Sequence, residues 1–190
     1  MMGGEALIYA MYEEPDLIQR FLEYICDWQC AFYQEHMQRV PVFHGGYAVG
    51  QYHIWSPGRN FRTQEDAVAI LSPNLFGEFV IPKVKRMTSL SEYSVMHLHL
   101  TSNHVLDQVL AIESIRAVEY DIDAGSANAR QYIAKMKEIQ NAGKCLIIKS
   151  EFGKEDIDII LNELDTQGLC LMPVVFGQAE MENIANCLNM

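Results

Sequence analysis

Basic side chains are scarce in this chain: 14 Lys and Arg stand against 25 Asp and Glu in 190 residues, a net charge of −11. Nucleic-acid backbones and anionic membrane surfaces are gripped by clustered Lys and Arg, so neither is an expected partner. No apolar run approaches the length that crosses a bilayer. The N-terminus, MMGGEALIYA, lacks the basic start and apolar centre of a secretory signal. The five cysteines form no CxxC and no paired spacing, which argues against a disulfide framework. Cys26 and Cys30, four apart on one predicted helix face, read as buried core thiols, and a reducing cytoplasm is the expected compartment. Gly45-Gly46 has neither the glycine spacing nor the Lys of a phosphate loop. There is no Gly-x-Ser-x-Gly, so a hydrolase elbow is not supported.

What the chain does have is alternation. Apolar residues make up 49%, enough for one domain with a real core. A first helix is predicted from Pro15 to His36, with Ile18, Phe21, Ile25, Trp28 and Phe32 at steps of three and four. Such Met and aromatic stripes read as core. A first strand, Val40–His44, ends at Gly45-Gly46, and a long loop from Tyr47 to Arg62 follows. Thr63-Gln64-Glu65-Asp66 resembles a capping box, and Ser72-Pro73 an N-cap with proline in the first turn. The next helix carries Leu75, Phe76, Phe79 and Val80 and should kink at Pro82. Four strand–helix units complete the pattern. The strands are Tyr93–Leu100, Ile115–Ile122, Lys144–Lys149 and Leu169–Val175. The helices are His104–Ile112, Asn128–Asn141, one with Ile157, Ile160, Leu161 and Leu164 on a face, and Gln178–Leu188. Five strands each followed by helix predict an α/β fold with a parallel sheet in sequential order.

Several segments resemble the uroporphyrinogen decarboxylase and cobalamin-dependent methyltransferase superfamily. Met11–Ile18 (MYEEPDLI) looks like the stretch before a long helix there, and Ile70–Arg86 (ILSPNLFGEFVIPKVKR) is the strongest match. Tyr93–Leu100 (YSVMHLHL) looks like the strand where that family carries a His-x-Cys or His-x-Asp pair. Ile115–Asp121 and Ala142-Gly143-Lys144 continue in the same order. The resemblance implies a partial (β/α)8 TIM-type barrel of about five units, corresponding to the last five strands without the first three. It carries over none of the arginines and the aspartate that hold a tetrapyrrole in true decarboxylases, because those belong to the first part of the barrel.

Strand parity selects the candidate site. Met96, Leu98 and Leu100 form an apolar set that faces the helices, so Val95, His97 and His99 face the interior. The same phase turns Glu119 and Asp121 inward and Val118 and Tyr120 outward. His44 and Lys149 end the first and fourth strands, and barrel chemistry is built at such C-terminal ends. His97 and His99 can chelate one zinc, with His44 or Glu119 as further ligands; hydrogen-bonded pocket histidines without metal are the competing reading. The family's zinc–thiolate site is not reproduced, since position 99 is His and Cys145 and Cys170 lie at strand starts. His104 reads as an exposed helix start rather than a ligand. Glu119, Asp121 and His44 are candidate acids, bases or ligand-holding groups, or Glu119 and Asp121 simply pair with Lys149 or Arg116. Trp55, Tyr47 and Tyr52 either cover a ligand, together with Lys149, or pin the loop down.

Three functions follow as expectations. The first is methyl transfer from a small methylated substrate to a corrinoid, carried by a partner protein, or to a thiol. The second is a non-catalytic or truncated barrel fragment acting as a binding or oligomerisation subunit. The third is a tetrapyrrole decarboxylase-type lyase. A barrel lacking strands exposes sheet edges and apolar interior, which predicts a homo-oligomer.

Overall fold

The structure is a computed structural model that describes residues 3–49, 54–123 and 129–188. Two helices come first, α1 (Gly4–Glu13) and α2 (Pro15–Met37), followed by a short antiparallel hairpin of β1 (Tyr47–Val49) and β2 (Ile54–Ser56). The main sheet holds β3 (Asn60–Gln64), β4 (Tyr93–His99), β5 (Ile115–Asp121), β6 (Cys145–Ser150) and β7 (Leu169–Pro173). Its order is β3-β4-β5-β6-β7 and every pairing is parallel. The covering helices are α3 (Pro73–Leu75), α4 (Ile81–Thr88), α5 (Leu106–Leu110), α6 (Ile133–Asn141), α7 (Lys154–Glu163) and α8 (Gln178–Cys187). The fold is thus α/β, compatible with part of an α/β barrel. Among the described residues no helix is long and apolar enough to cross a membrane.

The parallel sheet has the expected five strands, but its first strand differs, and the hairpin β1–β2 lies in the stretch read as loop. Val40–His44 is not a strand: it contains Pro41, which cannot donate to a ladder. Its end is a tight turn in which Phe43 and Gly46 exchange both backbone hydrogen bonds, at 2.8 and 3.0 Å. His44 (φ 48°) and Gly45 (φ 77°) are both left-handed, the geometry of a two-residue hairpin turn. The true first strand is Asn60–Gln64, inside the stretch read as loop and as capping box. It alternates in step with β4: Phe61 and Thr63 share the helix-facing side with Met96, and Arg62 and Gln64 share the polar side with His97.

The other elements follow local rules. The Ser72 hydroxyl accepts from Leu75 N–H at 3.3 Å, with Pro73 in the first turn. Pro82 is accommodated by a π-helical stretch at Phe76–Val80, which absorbs the missing N–H before α4 resumes. Gly143 (φ 72°) closes α6.

The core lies between the sheet and its helices. Met96, Leu98, Val118, Tyr120, Leu146 and Ile148 form one sheet face and are buried against Phe76, Val84, Val109, Met136 and Ile160. The predicted parity therefore holds in β4 and β5. The other face has a small apolar floor of Val95, Ala117 and Ile147, on which Ile54 of the hairpin packs.

The α2 stripe departs from expectation. Phe21, Trp28 and Phe32 are 54%, 61% and 59% exposed, whereas Ile18, Cys26, Cys30, Tyr33 and Met37 are buried. The helix has two apolar faces, and ion pairs choose between them. Lys83 and Arg86 of α4 pair with Glu23, and Arg86 also with Asp27. These pairs seat the cysteine face on α4, with Cys26 and Cys30 beside Met87, and turn the aromatic face outward. On α7, Leu161 is likewise 38% exposed while Ile157 and Ile160 are buried.

Candidate functional site

Strand register assembles the site row by row. Gln64, His97, Glu119 and Ile147 are neighbours across β3 to β6, and His99, Asp121 and Lys149 form the row above, nearer the strand ends. Beneath the polar rows lies the floor of Val95 and Ala117. The polar groups are therefore confined to the C-terminal half of one sheet face.

Glu119 is the centre of this arrangement and is fully buried. Arg62 reaches from β3 across β4, a span of roughly 9–10 Å, and its Nε donates to Glu119 Oε2 at 2.8 Å. The Arg62 side chain is itself only 9% exposed. His97 Nδ1 stands 3.1 Å from Glu119 Oε1, yet neither of these buried atoms has an aligned hydrogen bond. Their contact is close and electrostatic. Burial opposes ionisation of Glu119, but together the interactions with His97 and Arg62 outweigh it and bring the carboxyl down to about 2. Of these, the aligned Arg62 bond is the one the geometry supports most firmly.

The two histidines face each other. His97 Nε2 and His99 Nε2 are 3.0 Å apart, and the rings stand at 89°. Behind His99, its Nδ1 lies 2.8 Å from Asp123 Oδ1. Each imidazole thus has a carboxylate at Nδ1 and presents Nε2 to the other. An N–H on each Nδ1 leaves both Nε2 atoms as lone pairs, and lone pairs at that distance repel unless a proton or cation stands between them. Asp66, just after β3, supplies a third donor: its Oδ1 is 3.7 Å from His99 Nε2 and 4.0 Å from His97 Nε2. A triangle with sides of 3.0, 3.7 and 4.0 Å has a circumscribed radius of about 2.1 Å, the length of a zinc–nitrogen or zinc–oxygen bond. These three donors lie close enough together to share one cation. A second group of donors, His97, Glu119 and Asp121, also lies within one coordination sphere, but it shares His97 and its Glu119 is committed to Arg62.

Asp121 accepts from Lys149 Nζ at 2.7 Å, the pairing weighed from sequence. Arg116 plays no part in the contacts of either carboxylate. A cavity of about 580 Å³, lined in part by Phe152, Val174, Phe176 and Ile184, opens beyond the ends of β6 and β7, a size suited to a small molecule.

His97, His99, Glu119, Asp121 and Lys149 are therefore brought together, and other expected members are not. His44 sits exposed in the turn before β1, with its ring against Phe43, because the segment it was to terminate is not a strand. Tyr47 and Trp55 belong to the hairpin at the opposite end. The Tyr47 carbonyl accepts from Asn60 Nδ2 at the start of β3, roughly 13 Å of strand from Gln64. Trp55 Nε1 donates to the Phe43 carbonyl at 2.9 Å, so the Trp55 ring pins the loop, and neither residue lies beside the histidines. Tyr52 lies outside the described residues. His104 is exposed and ties two loops together, through contacts with the Leu71 and Thr101 carbonyls. Sequence reasoning missed Arg62, Asp66 and Asp123. Arg62 lies on the polar side of Asn60–Gln64, a segment whose sequence looks like loop. Asp66 and Asp123 follow strand ends, where a parallel sheet gathers its functional groups.

No protein-family model, curated protein or solved structure matches this chain.

Proposed function

We propose that the chain is part of a (β/α)8 barrel of the uroporphyrinogen decarboxylase and cobalamin-dependent methyltransferase type. In this reading it binds zinc at its strand ends for methyl transfer from a small methylated substrate to a corrinoid or thiol. The observation that carries this reading is the facing pair of Nε2 atoms, each ring backed by a carboxylate. Metal-binding histidines are oriented in this way, by an acceptor at the distal ring nitrogen. His97, His99 and Asp66 would hold the ion. Zinc would supply Lewis acidity that favours the thiolate form of a bound thiol.

The remaining residues position and bind. Glu119 orients His97 and is itself fixed by Arg62; being fully buried and ionised, it does not exchange protons with a substrate. Asp123 orients His99. Lys149 and Asp121 line the same face one strand further on, where a polar substrate group can be held. Helices on one sheet face, polar groups on the other and sequential strand order support the barrel reading over a doubly wound one.

The buried Glu119–Arg62 pair also favours a second reading, in which the polar rows are structural, a proton bridges the histidines, and the chain is a binding subunit without chemistry of its own. One assay separates the two. Zinc-loaded protein is mixed under reducing, oxygen-free conditions with cob(I)alamin and a small methylated thioether, and the rise of methylcobalamin absorbance is followed. Methyl transfer predicts zinc-dependent conversion to methylcob(III)alamin with the thiolate as leaving group, abolished by His97→Ala. Rates equal to the protein-free control, over a panel of small methylated substrates, would support the binding subunit.

A further inference from the structure

We infer that the outward face of α2 is the contact between two copies of this chain, packed antiparallel about a two-fold axis. Leu17, Phe21, Tyr24 and Trp28 are 52%, 54%, 71% and 61% exposed, and their steps of four, three and four define a helix–helix seam. Phe32 extends it at 59% exposure, stacked on Trp28 with ring centroids 5.5 Å apart. Large apolar side chains offer about 150–250 Å² each, so five that are half or more exposed present on the order of 600 Å². That is the upper end of what a soluble monomer leaves bare, and close to one partner's share of a standard interface, about 800 Å². The 23-residue helix is roughly 34 Å long, ample for such a contact.

The stripe is complementary to itself, which identifies the occupant. In the antiparallel register that sets Leu17 of one copy against Trp28 of the other, Phe21 meets Tyr24, and each layer then recurs by symmetry. Every layer is apolar, and the outer ones match the smallest side chain to the largest. The flank agrees. Arg20 and Asp27 are seven residues apart on the same side of the seam, and antiparallel packing brings that flank against itself, so Arg20 of each copy faces Asp27 of the other. A parallel pair would instead stack Trp28 on Trp28 and leave Arg20 without an acid opposite. A shift of one heptad would oppose Asp27 to Asp27.

Sedimentation equilibrium of the full chain tests this. Wild type should run at twice the chain mass in the tens-of-micromolar range. Trp28→Glu, at an exposed position, should dissociate the dimer by about a hundredfold or more with unchanged circular dichroism. The charge swap Arg20→Glu should weaken it about tenfold, and Arg20→Lys should leave it intact; Asp27 is left unchanged because it also holds Arg86 of its own chain. Wild-type protein that is monomeric at that concentration, or a dimer that Trp28→Glu leaves intact, would overturn the proposal. A dimer broken by Trp28→Glu but blind to the charge swap would overturn the antiparallel register. None of these outcomes depends on metal binding or methyl transfer.

Discussion

His97 and His99 bring their Nε2 atoms to 3.0 Å while their Nδ1 atoms face Glu119 and Asp123 at 3.1 and 2.8 Å. The relationship follows from strand geometry: residues two apart on β4 point to the same face, and β5 runs alongside with Glu119 in the row of His97. Among the described residues no other side chain stands between the two rings, so what their Nε2 atoms share decides what the site does.

Glu119→Gln keeps the size of the side chain and removes its charge. Arg62, with a side chain only 9% exposed, then loses its ionic partner in a buried setting. Breaking such a pair typically costs roughly 3–5 kcal/mol. Urea unfolding should show a loss in that range with little change in the slope. Glu163→Gln, whose partner Lys137 is on the surface, should leave the urea midpoint close to that of wild type.

Acid stability follows from the same carboxylate. Glu119 is held at about 2 in the folded chain, against an ordinary value of 4.5. A group depressed on folding stabilises fully above its unfolded value, and that contribution is lost as pH falls toward the folded one. The stabilisation should thus be intact above about pH 5 and disappear between there and about pH 2, on the order of 3 kcal/mol in all. Thermal melts of wild type and Glu119→Gln across this range check it: their difference should shrink as pH falls. A constant difference would mean that Glu119 is not ionised in the folded chain.

Much of this was legible in the sequence, for a physical reason. Met96, Leu98 and Leu100 fix the parity of β4, since a slip by one residue would put the histidines under the helices. That parity alone places His97, His99, Glu119 and Asp121 on one face, and Ser72-Pro73 marks its helix start through local hydrogen bonding. β3 was illegible because its inward residues, Arg62 and Gln64, are polar and its pattern looks like loop. Val40–His44 misled because an apolar run next to glycines fits both a strand and a turn. The face of α2 that packs was not readable either. Both faces are apolar, and the choice rests on Lys83 and Arg86, about sixty positions away in the chain.

The cysteines should differ sharply toward alkylating reagents. Burial, reinforced by Cys30 at 4.0 Å, pushes the Cys26 thiol up to about 11, and reaction requires the exposed thiolate. At pH 8, mass spectrometry should find Cys145, which is exposed, modified first. Cys26 and Cys30 should react only at the rate of unfolding. Rapid labelling of Cys26 in folded protein would show that α2 does not stay seated on α4.

Calorimetric titration of tag-free protein with zinc tests the site most directly. One equivalent should bind, with an affinity at least tenfold weaker in His97→Ala and in His99→Ala, and binding should be unchanged in His36→Ala, whose ring lies exposed on α2. Binding that is absent in the wild type, or equal in all four proteins, would contradict this.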